Sequence, residues 1–568
     1  MYDSIFDTTV VISIISSIFF IFVNLSLANN LNNFFSKNKI LYNFEYSFLL
    51  SFYFVFLIDS VVFNLLILIN SKIFTFYLYY ILKIICFIQF FQKEKIKKKI
   101  NIKIEYKVIL LFFFIIGFFP ITDADSISIH LNLPLAYLSN FENLDNPLKY
   151  AELSLYLNSE VLLINSILFK SSNIGNLLNF VALSIFLISS SKKIEKNNFL
   201  ILFFSMPLVL FLLNTQKLQI FFAILYLVIF IYFNNQNKKK INKSSLTVIL
   251  FLLVFYISGK LSYAILSIPL IIFIFWKLRD LYFLKYLFYG SMILIFPIIL
   301  KKYLLYGDPI APFLSNLLNT DLEYKNLLKT ISNQGWKAED FKLLDFAQFF
   351  IPWKMSYLSA ATGVGFLYVI YKNIFSKFQY YFIVSISGIF LIYLSGQIMA
   401  RFYLESILLL FWFSNFKINK IINYILKFQL LIIITTTFLF IVMSLINISK
   451  GTEVFMDRFS YTYFNAKKIH NLNLKENIIL LNQERDSIFY NKNIFTFRVR
   501  KNTNYLIDTI IKYRIKYIIT DNTEKIPKCI KFKLVKEIQN KNATRNFLKK
   551  EKFKMSKIFQ ITENKCKT

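Results

Sequence analysis

Apolar runs recur through the first 448 residues in blocks of about 15 to 23, each closed by a short stretch rich in Lys and Asn. A helix crossing a hydrocarbon core about 30 Å thick needs about 20 such residues. A soluble interior has no room for so many consecutive runs. The chain has 568 residues, is 56% hydrophobic and carries 68 Phe, with a mean hydropathy of +0.54. The expected fold is therefore an α-helical polytopic membrane protein with about 14 spans. These fall near residues 9–28, 46–69, 73–91, 107–120, 176–191, 198–213, 218–233, 246–258, 261–276, 284–303, 356–371, 379–395, 400–414 and 425–448. The start, "MYDSIFDTTV", is acidic and has no basic leader, so no cleavable signal peptide is expected.

Lys and Arg set the expected orientation. "KEKIKKKINIKIEYK", "SKKIEKNN", "NNQNKKKINKSS", "KLRDLYFLK", "YKNIFSK" and "NFKINK" occupy alternate connections, which are read as cytoplasmic. Both ends of the chain then lie outside. After residue 449 the apolar blocks stop. "NIILLN", "IFTFRV" and "KYIITD" read as strands, with a helix near 503–513. Three units follow: N-terminal spans over 1–106, a membrane core over 107–449 with long outer loops at 121–175 and 304–355, and a small extracytoplasmic α/β domain over 450–568. That last unit carries 27 Lys and Arg against 11 Asp and Glu. The excess suits a solvated surface facing anionic lipid, and no element resembles a nucleic-acid-binding fold. Of the three cysteines, Cys86 lies in an apolar block, whereas Cys529 and Cys566 are near the C-terminus. A Cys529–Cys566 disulfide requires that end to face an oxidising compartment.

The outer connections hold the scarce titratable groups. "TDADSISIH" brings Asp123, Asp125 and His130, one of only two histidines. "NTQKLQ" brings Lys217, "SGKLSY" Lys260, "YGDPIAPF" Asp308, and "SGQIMARFYLE" Arg401 and Glu405. Ionised groups set into span ends cost about 2.5–3.5 kcal/mol on insertion scales, and cations beside spans ordinarily go to the cytoplasmic side. Lys260 and Arg401 oppose that bias. Acids in one connection and cations in others, on one face, suit a reaction that deprotonates one group and stabilises an anionic leaving group. Each residue also has a plain structural role: Asp125 as a helix cap, Asp123 as a loop acid, His130 as a packed helix residue, Lys217 as an interfacial side chain, Arg401 in a pair with Glu405.

In order and placement these motifs resemble the GT-C class of polyprenyl-phosphate-sugar glycosyltransferases, which includes the protein mannosyltransferase-like and aminoarabinose-transferase-like families. The shared features are an acidic motif opening the first large outer loop, a "YGDPIAPF" turn, an Arg with aromatics at the outer end of a late span ("ARFYLE"), and an α/β tail with "RIKYIITDN". Stretch 157–180 looks like the outer helix that returns to the membrane. The chain departs from the pattern in having three spans before the acidic motif, an Asp at 308 where Asn is usual, and acids spaced Asp-x-Asp.

The resemblance implies an enzyme of the bacterial inner membrane, with its active face periplasmic, taking a sugar from a polyprenyl-phosphate donor to a lipid, glycan or protein. Asp123 would be the general base or orient the acceptor, and Asp125 would assist it or, with Asp123, hold a divalent cation. Arg401, with Lys217 or Lys260, would neutralise the lipid phosphate; His130 and Asp308 would line the substrate site. Two rivals share the general layout. An O-antigen-type polymerase or ligase would want a longer outer loop rich in Arg and His. A lipid-linked-saccharide flippase would want two similar halves, and no internal repeat is seen.

Overall fold

The computed structural model describes residues 10–41, 44–89, 103–123, 126–138, 157–194, 198–212, 214–235, 242–279, 281–311, 361–374, 379–397 and 399–460, together with most of 463–566 in shorter stretches. Asp125, residues 312–346 and the lysine run at 93–102 lie outside the described residues.

Each apolar block coincides with helix. The helices are α1 (Val10–Lys37), α2 (Ser47–Leu68), α3 (Ile73–Gln89), α4 (Ile104–Ile116), α5 (Asn132–Leu138), α6 (Asn158–Leu162), α7 (Ile164–Leu168) and α8 (Ile174–Ser189). Next come α9 (Phe199–Phe204), α10 (Leu208–Leu212), α11 (Gln219–Asn235), α12 (Lys243–Gly259), α13 (Leu261–Leu278), α14 (Phe283–Leu294) and α15 (Phe296–Tyr306). The series ends with α16 (Val364–Ile374), α17 (Tyr380–Leu394), α18 (Leu404–Phe413), α19 (Lys420–Ile448), α20 (Thr452–Phe459) and α21 (Thr503–Lys512).

Length separates these helices. Among the described residues, four are long and apolar enough to cross a membrane: α1, α2, α13 and α19. The bent pair α14–α15, with 46° between its halves, would be a fifth. The expected number of about 14 is not confirmed among the described residues: other apolar helices, α3, α8, α11, α12 and α17 among them, are shorter, and local chemistry interrupts some of the expected blocks. The block 198–213 is cut at Ser205–Met206–Pro207, because proline has no N–H to continue the helix. The α14–α15 break falls at Ile295, just before Pro297 at the start of α15. The segment expected over 356–371 begins as described helix only at Val364.

The interior is built around α11. Every side chain from Gln219 to Phe233 is buried, so this helix is apolar on all sides and must be enclosed by others. Helices α8, α12 and α18 pack against it. By contrast α1, α13 and α19 leave long rows of exposed Ile, Leu and Phe, the surface expected against lipid. Without a hydrophobic drive between helices in lipid, close packing and buried polar bonds hold such a bundle. The N-terminal helices carry one such set. Lys83 Nζ lies 2.7 and 2.8 Å from the two oxygens of Asp59 and donates to Asn24 Oδ1 at 2.7 Å. Tyr79 also donates to Asp59, at 2.6 Å. The group links α1, α2 and α3.

The C-terminal unit is a five-stranded mixed sheet, as the strand pattern led one to expect. Strands β1 (Ile478–Leu481), β2 (Ile494–Phe497) and β3 (Tyr517–Thr520) are parallel, with β1 between the other two. Strand β5 (Ser556–Asn564) runs antiparallel beside β3 and pairs on its other side with β4 (Ile530–Ile538). The apolar face of α21 packs on the sheet through Leu506 and Ile510, both fully or almost fully buried. Cys529 and Cys566 form a disulfide that joins the start of β4 to the end of β5.

Candidate functional site

The "TDADS" turn is built around Ser126. Its backbone N–H and its hydroxyl both donate to Asp123 Oδ2, at 3.0 and 2.7 Å, so Asp123 caps the turn of π-helix Ser126–Leu131. The Ser126 Oγ in turn accepts from the backbone N–H of Gln216 at 3.0 Å and lies 3.0 Å from Thr215 Oγ1. This draws in the extended "NTQKLQ" segment between α10 and α11. Gln216 Oε1 accepts from Gly175 N–H at 2.7 Å. The approach requires glycine: a Cβ at position 175 would sit 2.6 Å from the Gln216 carbonyl oxygen. Asn179 Nδ2 donates to the Lys217 carbonyl at 2.7 Å. Lys217 is thereby aimed at Asp123, with Nζ to Oδ2 of 3.0 Å.

Three cations then share two phenyl rings. Lys217 Nζ is 4.8 Å from the centre of the Phe211 ring. Arg401 Cζ is 5.4 Å from Phe211 and 5.0 Å from Phe402. Lys260 Nζ is 4.8 Å from Phe402. In the order Lys217, Phe211, Arg401, Phe402, Lys260, each ring lies within 4.8 to 5.4 Å of two of the cations, and its π face offsets part of their repulsion. Arg401 lies in the 3₁₀ turn Ala400–Phe402 that links α17 to α18, and its carbonyl accepts from Gln219 at the start of α11. Lys260 occupies the connection between α12 and α13, outside both helices. Burial, helped by the positive charge of Arg401, pushes its ammonium down to about 8.

Acids face this row. Lys260 is within electrostatic reach of Glu160 and Glu405. Glu160, on α6, is 5% exposed and places Oε1 3.2 Å from His130 Nδ1. The "YGDPIAPF" turn approaches from α15. Gly307 ends that helix at a φ of 65°, a left-handed conformation that favours glycine. Asp308 is fully buried; its Oδ1 accepts from Ile310 N–H at 2.9 Å, and its Oδ2 has no hydrogen-bond partner among the described residues. Lys302 donates to the Ala311 carbonyl at 3.1 Å and feels the charges of both Glu160 and Asp308.

Six of the seven residues singled out in the sequence are described, and contacts or charge link all six: Asp123, His130, Lys217, Lys260, Asp308 and Arg401. Asp125 lies outside the described residues. Among the described residues, no group of three His, Cys, Asp or Glu could hold a metal ion, so the expected cation at Asp123 and Asp125 has no described third ligand. Sequence reasoning did not single out Glu160, Ser126, Phe211 or Phe402. Ser126 is the residue that ties the acidic turn to Lys217. Its only sequence signal is its place three residues after Asp123, the spacing of a side-chain cap.

No family model, no curated protein and no solved structure matches this chain, so the chemistry of the site rests on its own residues.

Proposed function

We propose that the chain is an integral membrane glycosyltransferase that moves a sugar from a polyprenyl-phosphate donor to an acceptor outside the cytoplasm. The observation that carries this reading is the row of Lys217, Arg401 and Lys260 over Phe211 and Phe402. Three cations held together at the ends of apolar helices repel one another, and a bound anion offsets that cost. A phosphate on a lipid enters from the bilayer and leaves its charge at this depth. Arg401 offers a planar fork for two phosphate oxygens, and the lysines act as point charges. As the bond from sugar to phosphate breaks, negative charge grows on the phosphate, and a fixed row of cations stabilises it most at that moment. Asp123, whose Oδ2 accepts from Ser126 and meets Lys217, is assigned to orient Lys217 and the acceptor. His130 and Asp308 lie on the acceptor side. In-line attack would invert the anomeric configuration.

The same reading puts the site and the sheet domain outside the cytoplasm. The Cys529–Cys566 disulfide supports this, since such bonds persist in oxidising compartments. Single cysteines introduced at positions 238 and 281 of a Cys-free protein are expected to be shielded from an impermeant thiol reagent in intact cells. Cysteines replacing the exposed Leu534 or Val535 on β4 are expected to react. Labelling of positions 281 and 534 from the same side would reverse the assignment.

Purified protein in nanodiscs tests the donor directly, with undecaprenyl phosphate as the probe. Binding is expected at pH 7 and is expected to weaken as pH rises. Lys260, held near 8 in the unliganded protein, is charged below that pH and neutral above it. Bound phosphate pulls the midpoint upward, so the loss sets in above about pH 8. In Lys260→Met this pH-dependent step should be gone. Absence of binding at pH 7 would end the polyprenyl-phosphate reading.

A further inference from the structure

The Glu160–His130 contact has no part in holding a phosphate, yet it is built with care. Glu160 is 5% exposed, and its helix α6 is pinned on two sides. Asn158, one half-turn earlier, accepts from Asn64 of α2 at 2.6 Å and donates to Ser258 of α12 at 2.6 Å. His130 sits in the π-helical turn that begins at Ser126, so the hydrogen bonds that position Lys217 also position the imidazole. His130 Nδ1 is buried 3.2 Å from Glu160 Oε1, within ion-pair distance but without hydrogen-bond geometry, and the side chain as a whole keeps 12% exposure. A carboxylate this close to Nδ1 favours the tautomer with the proton on Nδ1, which leaves the Nε2 lone pair to accept a proton.

We propose that His130 and Glu160 form a proton-accepting pair, with Nε2 of His130 as the base. On the transferase reading, on which this assignment rests, the acceptor is a hydroxyl group. Its O–H proton passes to Nε2 while its oxygen bonds the anomeric carbon. The bond from that carbon to the phosphate oxygen breaks, and the electron pair leaves with the phosphate. Glu160 touches no substrate; it sets the tautomer and balances the imidazolium that forms. The pair gives Asp123 a different task, since Asp123 Oδ2 is already engaged by Ser126 and Lys217.

The chain has two histidines, which makes the test clean. Full-length protein with His470→Gln and ¹⁵N-labelled imidazole, in nanodiscs, leaves one set of ring signals. The Nδ1–H tautomer is expected. The Nε2–H tautomer would overturn the pair, whatever the variants do. A second measurement uses diethyl pyrocarbonate, which acylates the unprotonated ring nitrogen, read as mass added to the His130 peptide. Glu160→Gln is expected to slow this several-fold in protein that remains monodisperse. An unchanged rate would also overturn the proposal. If Glu160→Gln does not yield folded protein, the tautomer measured with Glu160 present decides. Undecaprenyl phosphate is then added to the protein carrying both side chains. Slower acylation places the lipid phosphate beside the pair and supports both readings. If the tautomer and the Glu160→Gln effect hold while undecaprenyl phosphate neither binds nor protects, the pair stands as a base and the transferase reading falls.

Discussion

Arg401→Ala is expected to weaken undecaprenyl phosphate binding by about 10²-fold or more, the scale of losing one partner of a desolvated, hydrogen-bonded charge pair. The guanidinium is the middle cation of the row, 5.4 Å from the centre of the Phe211 ring and 5.0 Å from that of Phe402. Removing it takes away the only fork-shaped donor of the row and both of its ring contacts. Arg401→Lys keeps the charge and loses the planar geometry, so it should fall between wild type and Ala. Binding to nanodisc-embedded protein, normalised to the folded fraction, separates affinity from stability. If Ala and Lys lower abundance equally and the folded fraction binds as wild type does, Arg401 is structural and the phosphate role is lost.

Lys83→Met is expected to lower the amount of folded protein more than any change at the site. It strands Asp59, which is fully buried and loses its ion-pair partner at 2.7 Å. Breaking a buried pair from one side costs about 3–5 kcal/mol, because the remaining charge has neither water nor a counter-charge and keeps only the Tyr79 hydroxyl. The double change Lys83→Met with Asp59→Asn removes both charges and should recover much of the loss. The retained Asn can still accept from Tyr79, as Asp59 does now. Abundance and thermal unfolding of the four proteins in one membrane mimetic close the cycle. Equal damage in the single and double variants would mean that the side chains matter for shape and not for charge. The three N-terminal helices matter beyond anchoring. Asn64 on α2 reaches Asn158, Tyr80 on α3 reaches Asn165, and Ser17 on α1 reaches Ser171. Each of these helices therefore contributes at least one polar contact to the segment that carries Glu160.

The positions of the helices were legible in the sequence because the apolar blocks, their lysine-rich borders and the period-2 strands after residue 449 are local patterns. A run of side chains that must avoid water declares itself without reference to its neighbours. Gly307 and Pro207 are local in the same way, since each acts through its own backbone. Candidate site residues could be picked out for a related reason: a charge beside an apolar run is costly wherever it ends up, so Arg401 and Lys260 stood out before any contact was known.

Tertiary structure decided what those charges do. Phe211 and Phe402 are two of 68 phenylalanines; Phe402 follows Arg401 in "ARFYLE", but nothing in the sequence pairs it with Lys260 or brings Phe211 to Lys217 and Arg401. Glu160 is separated from His130 by 30 residues, and their contact exists only because α6 is held by Asn64 and Ser258 from two other helices. The break at Pro207 is local, but what satisfies it is not: Leu208 N–H donates to the carbonyl of Ala361, far along the chain. Periodicity reports which face of a segment avoids water. It carries no information about which other segment covers that face, and a site assembled from five connections is made wholly of that second kind of information.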